Sequence, residues 1–570
     1  MSKQAISFRR RGIGMMGYSK IENTVESMAG NLYLRCFVFQ TANKNMLVYC
    51  NLEICFITVA IRQAVITALA KDPETAHIQA ESVMLTAQHT HSAPGGYSHY
   101  MLYNVTVPGF QPQVFNTIVQ TILKGIKAAL NEMQPAVLKL GKGEFEPHLE
   151  VGFNRSLKAY NQNPEVSKPL KDNETHLGIN RNMDLLRIET PEGVPLGMLN
   201  WFGVHATSIG PDNQAISGDN KGFAARYFEQ SCQNKYKTPA CVGIFAQDAA
   251  ADVSPNFYGT GKTWPRGKFD NDLESARFNG RLQANQAWHI FEASAKTTLS
   301  PKIDGDLFYS DFAQIQCDTK YTHTKEVQST SAAAHGLAFL RGTADGKGVN
   351  DLVAKLLETL AKKLKQSELK RMKTLPEAEQ ESIRQKYSVQ DPKHILIEGG
   401  RQLFLGQSNL NKLPVPEFID PVIAELKRLH QNSAIKEHTW TPHILPVQIG
   451  LLGELAIVAL PGEISVIAAQ RLKATVLEIL APKGIQYVVL NSYANAYHGY
   501  ITTPEEYAVQ NYEGGHTVFG KWTLPAFQTQ FAKLSASLLL PAKERHLDKT
   551  LKPPIFSEEE LAKRTYHTPS

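Results

Sequence analysis

The sequence predicts an α/β protein: a mixed β-sheet core with flanking helices and a peripheral helical insertion. Three observations predict it. In the first half, short apolar runs rich in strand formers alternate with helical patterns, the same alternation resumes near the C-terminus, and between them the composition shifts to Lys, Glu and Gln. With 570 residues, 42% of them hydrophobic and 20% charged, the chain has the usage of a folded globular protein and the length for a sizeable core.

Leu32 to Gln40 and Met46 to Ile57 read as strands, and Val59 to Ala70 as an amphipathic helix. Ser82 to Ala87 is a buried strand that ends in a loop rich in His, Gly and Pro. Gln113 to Met133 is a long helix. Asp184 to Glu189 and Gly197 to Val204 pair as strands, followed by a helix from Asn220 to Cys232, a strand from Cys241 to Ala246 and a helix from Leu273 to Ala295. Leu352 to Asp391 reads as exposed helices laid on the main body. The α/β grammar then returns with a strand from Glu454 to Leu460, a helix from Ser465 to Leu480 and a strand from Gln486 to Leu490. No internal repeat is visible. Residues 1–545 are assigned to one body, and the polar, Pro-containing stretch 546–570 to a loose tail.

The formal charge of +6, from 60 basic and 54 acidic residues, is too small for a nucleic-acid footprint. Two basic patches, Phe8-Arg9-Arg10-Arg11 and Lys362 to Lys373, are either solvated faces or points of peripheral contact with an anionic membrane. The six cysteines lack Cys-x-x-Cys spacing and are expected as buried thiols, with Cys232 and Cys241 near enough to pair in an oxidising compartment. Neither a secretory signal nor a run of eighteen apolar residues is present, so the cytoplasm is the default expectation, with signal-independent export left open.

His89-Thr90-His91 places two imidazoles two residues apart at a strand end. In extended geometry both point to one side, where they either ligate a metal or make ordinary hydrogen bonds. The following Ser92-Ala93-Pro94-Gly95-Gly96 suits a pocket wall. His205, after the apolar Trp201 to Val204, fits a satisfied core histidine or a ligand, and Asp252 to Asn256 has the residues of a turn. Asn491 to Tyr512 is dense in tyrosine around Thr502-Thr503-Pro504-Glu505-Glu506. It is either aromatic packing on the core or a source of phenolic donors for an oxyanion.

Taken in order, Gly14-Met15-Met16-Gly17-Tyr18, His89 to Gly96, Asn154-Arg155-Ser156, Asn200 to Ala224, Asp252 to Asn256, Leu460 to Glu463 and Tyr500 to Gly514 resemble the neutral ceramidase family from Gly12 to about Phe531. The resemblance implies a zinc amidohydrolase that cuts the N-acyl bond of ceramide or a related N-acyl lipid by metal-activated water. It implies Zn2+ held by His89, His205, Glu463 and Tyr500, with His91, Arg155, Ser254 and Tyr512 lining the same pocket. His91 is then the expected proton shuttle, Arg155 and Tyr512 the oxyanion or hydroxyl partners, and Ser254 a nucleophile or a pocket hydrogen-bonder, the second being preferred. The alternatives are another N-acyl lipid, an N-acyl amino compound or a peptide as substrate, or a catalytically silent membrane-binding relative. The chain departs from the family's pattern at Ala93 and Ala251, where Gly is common. It also departs in ending before the immunoglobulin-like β domain that usually follows, and in its N-terminus, where a secretory signal is usual.

Overall fold

The computed structural model describes residues 1–8, 11–238, 241–257, 267–293, 296–343, 346–412 and 421–566. Arg9 and Arg10 of the first basic patch lie outside the described residues, as do Ala295 and residues 567–570.

Three mixed sheets carry the fold. The first comprises β1 (Ser2–Ile6), β2 (Leu32–Gln40), β3 (Met46–Leu52) and, after helix α1 (Val59–Lys71), β4 (Val83–Ala87), in the order β1-β2-β3-β4; helix α2 (Pro112–Asn131) follows. The second comprises β5 (Val137–Glu144), β6 (Asn182–Glu189), β7 (Pro195–Trp201) and, after α3 (Asp219–Tyr236), β8 (Val242–Ala246). Its order is β8-β7-β6-β5 with Thr297–Thr298 at the edge, and α4 (Asp272–Glu292) follows. Next come β9 (Ile303–Asp311) and the helices α5 (Asp351–Met372) and α6 (Glu377–Gln390). Then β10 (Ile444–Leu452), β11 (Leu455–Ala459), α7 (Val466–Leu480) and β12 (Tyr487–Asn491) complete the third sheet, β9-β10-β11-β12, before α8 (Thr523–Leu539).

Each sheet contains the same unit: an antiparallel hairpin, a helix, and a strand returning parallel to the second hairpin strand. The three are β2-β3-α1-β4, β6-β7-α3-β8 and β10-β11-α7-β12. A parallel return needs a long crossover, which each helix supplies. The parallel pairs finish in step, at Leu52 beside Ala87, Trp201 beside Ala246 and Ala459 beside Asn491. The sequence shows no repeat because the units share topology rather than residues.

Strand alternation explains the layering. Tyr49, Leu199, Trp201, Ile244, Ile457 and Val489 point into one core shared by all three sheets. Intervening residues such as Cys50, Phe245 and Val458 face helices on the outside. The returning strands, Val-Met-Leu-Thr-Ala and Val-Gly-Ile-Phe-Ala, and strand β11, Leu-Ala-Ile-Val-Ala, are buried at every position, as parallel strands covered on both faces must be.

The element boundaries differ from expectation mainly at ends. The strand begun at Met46 stops at Leu52, and His205 stands four residues past the end of its strand rather than at it. The insertion is peripheral as expected, with only Ala354 and Ala361 of α5 buried. Cys232 and Cys241 are paired in a disulfide with 6.2 Å between their Cα atoms, and the other four cysteines are free and buried. Residues 546–566 of the tail are not loose: Phe556 packs on Tyr100 and His438, Arg564 and Glu560 form a buried ion pair, and Phe110 bridges Thr565. Its composition is polar, but besides these contacts Lys549 pairs with Glu81 and Asp306, and the Pro553 carbonyl accepts from Gln63. Among the described residues no helix is long and apolar enough to cross a membrane.

Candidate metal centre

Loops at the carboxyl ends of the parallel strands converge on one point, the usual place for a site in such sheets. His89 follows β4 by two residues. Its backbone is left-handed (φ 74°), not extended, so alternation along a strand does not aim the two histidines as expected. The turn itself does so: the His89 N–H bonds Ile54 O at 3.0 Å, and the ring Nδ1 lies 2.8 Å from Cys55 O. A non-glycine residue in this region marks strain held by its surroundings. His205 is fixed similarly, with its N–H on Val253 O at 3.0 Å and Nδ1 at 2.5 Å from Ala250 O.

Glu463 arrives from the third sheet. Glu463–Ile464 pairs in parallel with Tyr500–Ile501, so Glu463 and Tyr500 are direct neighbours on a two-residue ladder. The phenols of Tyr497 and Tyr493 donate to its carboxylate at 2.6 and 3.1 Å. His205 Nε2 lies 3.2 Å and His89 Nε2 3.5 Å from its two oxygens. One ligand atom from each of His89, His205 and Glu463 falls within 4.8 Å of the others, and all three residues are buried.

The chemistry of these donors fits a divalent cation. Both imidazoles commit Nδ1–H to backbone carbonyls, which leaves each Nε2 lone pair facing a carboxylate. Burial drives the His89 pKa down to about 4, so it is neutral. Burial also opposes ionisation of Glu463, yet its carboxyl is held well below the usual carboxylate range, with the Tyr497 phenol donating to it at 2.6 Å. Three acceptors thus converge, an arrangement that zinc with two nitrogens and one oxygen accommodates. Cys55 forms a second group with His89 and His91, but it lies on the Nδ1 side of His89 at 3.7 Å, and burial pushes its thiol well up. A protonated thiol is a poor ligand.

Of the other expected residues, His91, Arg155, Tyr500 and Tyr512 line the cavity beside this cluster, and Ser254 is not among its lining residues. His91 Nε2 lies 3.0 Å from His89 Nε2, and its Nδ1 is buried without a hydrogen-bond partner. Burial, then His89 and His205, hold its pKa well below the ordinary value. Gly17 (φ 133°) backs the ring so closely that a Cβ there would collide with it, while Tyr18 meets it edge-on at 4.6 Å. Arg155 donates Nε to Glu513 at 3.0 Å, Nη2 to Ala251 O at 2.7 Å and Nη2 to Tyr500 Oη at 3.3 Å, and sits over the Tyr512 ring. Burial, with Glu463 and Tyr512, pushes the Tyr500 phenol well above its ordinary pKa. Ser254 is fully buried, and its hydroxyl accepts the Asn256 N–H at 3.1 Å.

A cavity of about 590 Å³ opens above this cluster, walled by His91, His205, Arg155, Tyr500 and Tyr512 together with the apolar Phe339, Leu340 and Val349. Sequence reasoning missed Tyr493 and Tyr497 as the donors that orient Glu463, Glu513 as the anchor of Arg155, and Gly17 as the backing of His91. The tyrosines were visible as density, and Gly17 as part of the Gly14–Tyr18 stretch, but their partners lie 30, 34 and 74 residues away, and that of Glu513 358 residues away, with no local pattern to link them.

A profile described as "Neutral/alkaline non-lysosomal ceramidase, N-terminal" matches residues 3–415 and 424–529. The chain is 32% identical over 542 residues to a neutral ceramidase of Pseudomonas aeruginosa, covering 94% of this chain and 71% of that protein. It is 31% identical over 550 residues to neutral ceramidase A of Dictyostelium discoideum, covering 92% and 70%. Among solved structures, neutral ceramidase from Pseudomonas aeruginosa superposes with a TM-score of 0.74 at 29% identity, over 97% of this chain and 75% of that one. A ceramidase complexed with C2 gives 0.75 at 31%, over 97% and 77%. Sequence match and shared fold extend across all three sheets, and the chain is therefore an enzyme of the neutral/alkaline non-lysosomal ceramidase family.

Proposed function

We propose that this chain hydrolyses the N-acyl amide bond of ceramide to a fatty acid and a sphingoid base, with zinc held by His89, His205, Glu463 and Tyr500. The observation that carries the proposal is the convergence of two Nε2 lone pairs and one carboxylate beneath a 590 Å³ cavity. The names of the relatives, and a related structure complexed with C2, support ceramide as the substrate.

Held by His89, His205, Glu463 and Tyr500, zinc would supply Lewis acidity that lowers the pKa of water toward neutrality and polarises an amide carbonyl. The protein's own groups do the rest. His91, neutral because it is buried, accepts the proton lost by the attacking water and returns it to the nitrogen as the carbon–nitrogen bond breaks. Arg155, held by Glu513 and Ala251, faces Tyr500 and Tyr512 and offers positive charge to the developing oxyanion or to a substrate hydroxyl. Ser254 is read as a hydrogen-bonder behind the pocket rather than as the nucleophile, since it is fully buried, is absent from the cavity's lining residues and accepts the Asn256 N–H.

The test is elemental analysis of the purified protein together with a panel of N-acylated substrates. One zinc per chain and cleavage of ceramide are expected. Cleavage of short peptides with none of ceramide overturns the substrate, and a Glu463→Ala variant with unchanged hydrolysis overturns the site. Substitution of His89 should remove metal, whereas substitution of His91 should keep the metal and lose rate.

A further inference from the structure

The wall of the cavity continues into an unpartnered apolar surface. Val349 lines the cavity, and Asn350 caps α5 by accepting the Leu352 N–H at 2.8 Å. Leu352, Val353 and Leu356 then stand 76%, 46% and 60% exposed. Only Asn350 and Asp351 separate the cavity wall at Val349 from the first of these side chains, a span of at most about 10 Å.

The helix is two-sided in a specific way. At about 100° per residue, Leu352, Leu356, Lys363 and Lys370 all project about 160–200° from buried Ala354, on one outward stripe. Lys363 and Lys370 are exposed, and neither enters an ion pair among the described residues. The acidic residues of α5 lie on the other side. Glu358 is paired with Arg341 and Lys362, and Glu368 with Lys386 and Arg401. The outward face therefore has an apolar tip next to the cavity, followed by cationic side chains with no carboxylate among them. That pattern matches an interfacial helix on anionic lipid.

We propose that the outward face of α5 docks on an anionic lipid surface, with Leu352, Val353 and Leu356 entering the interface and Lys363 and Lys370 facing headgroup phosphates. The cavity then opens at the membrane, and a lipid amide reaches the metal centre without crossing water. This rests on the reading of the substrate as a membrane lipid. Continuity with the cavity and the charge of the stripe favour lipid over a second copy of the chain, which carries a net positive charge itself.

The experiment compares the full chain with two variants, Leu352→Ser/Val353→Ser/Leu356→Ser and Lys363→Glu/Lys370→Glu. Each is measured by co-sedimentation with phosphatidylcholine vesicles that contain or lack phosphatidylglycerol, and by hydrolysis of vesicle-borne against monomeric short-chain ceramide. The parent should bind only the anionic vesicles. Both variants should lose vesicle binding and vesicle hydrolysis by about tenfold while keeping hydrolysis of the monomer. Variants that bind as the parent does overturn the proposal, and so does a parent dimer in sedimentation that the serine variant dissolves. Vesicle binding by a parent that cleaves neither substrate keeps the docking face and overturns the substrate reading instead.

Discussion

The candidate metal centre and the α5–α6 insertion both depend on charged side chains, but they hold them differently. At the centre Glu463 and His205 are 1% exposed and His89 2%, and each is fixed by backbone or phenol partners. On the outer face of the insertion the ion pairs sit in water: Arg384 and Glu381, 2.9 Å apart, have side chains 43% and 68% exposed, while Lys386 and Glu368 between its helices are 9% and 18% exposed. A buried charge stripped of one partner costs several kcal/mol, whereas an exposed pair contributes well under one. The first region thus specifies one arrangement, while the second tolerates many and can be shaped by what it touches.

The largest expected contrast is at Glu463. Glu463→Gln should abolish stoichiometric metal and lower hydrolysis on the order of 10⁴-fold, read by elemental analysis and kcat/KM. Acid should come next. Burial holds His99 and His498 down to about 4, below the ordinary histidine value. The unfolded chain binds their protons between about pH 4 and 6.5, so stability is full above that window and falls as pH drops through it. The slope should be about 1.4 kcal/mol per pH unit for each histidine. Chemical denaturation across this range measures it, and a His498→Gln variant should flatten the slope. Gly17→Ala, pressing on His91, should cost about 10²-fold in kcat with metal retained. Tyr497→Phe should cost about tenfold in metal affinity, measured by chelator competition. Arg384→Ala should move stability by less than about 0.5 kcal/mol; a larger loss in urea unfolding would erase the contrast.

The sequence made legible whatever depends on local pattern. The buried strands announced themselves as apolar runs, and the charged stretch from Leu352 read as an outer insertion because it lacks an apolar face broad enough to bury. What it hid depends on pairing at long range. The left-handed turn at His89 is stabilised by Ile54 and Cys55, which no local signal reveals. Glu463 and Tyr500 meet through two-residue strands too short to show alternation. The tail looked loose because composition does not disclose that Phe556 and Arg564 find partners at Tyr100 and Glu560. Site residues were reached through family resemblance along the whole chain, since spacing links none of them.

The three loops that meet at the centre belong to three sheets, and His89 and Glu463 are 374 positions apart along the chain. Contacts of such separation form late, after the entropy of closing long loops has been overcome. A nascent chain ending before residue 463 carries both imidazoles and no carboxylate to join them. On the proposed reading, metal capture would then be a clock for the folding reaction: tight binding would begin only when the last sheet has closed, and a chain stalled earlier would be distinguishable by its failure to hold the ion.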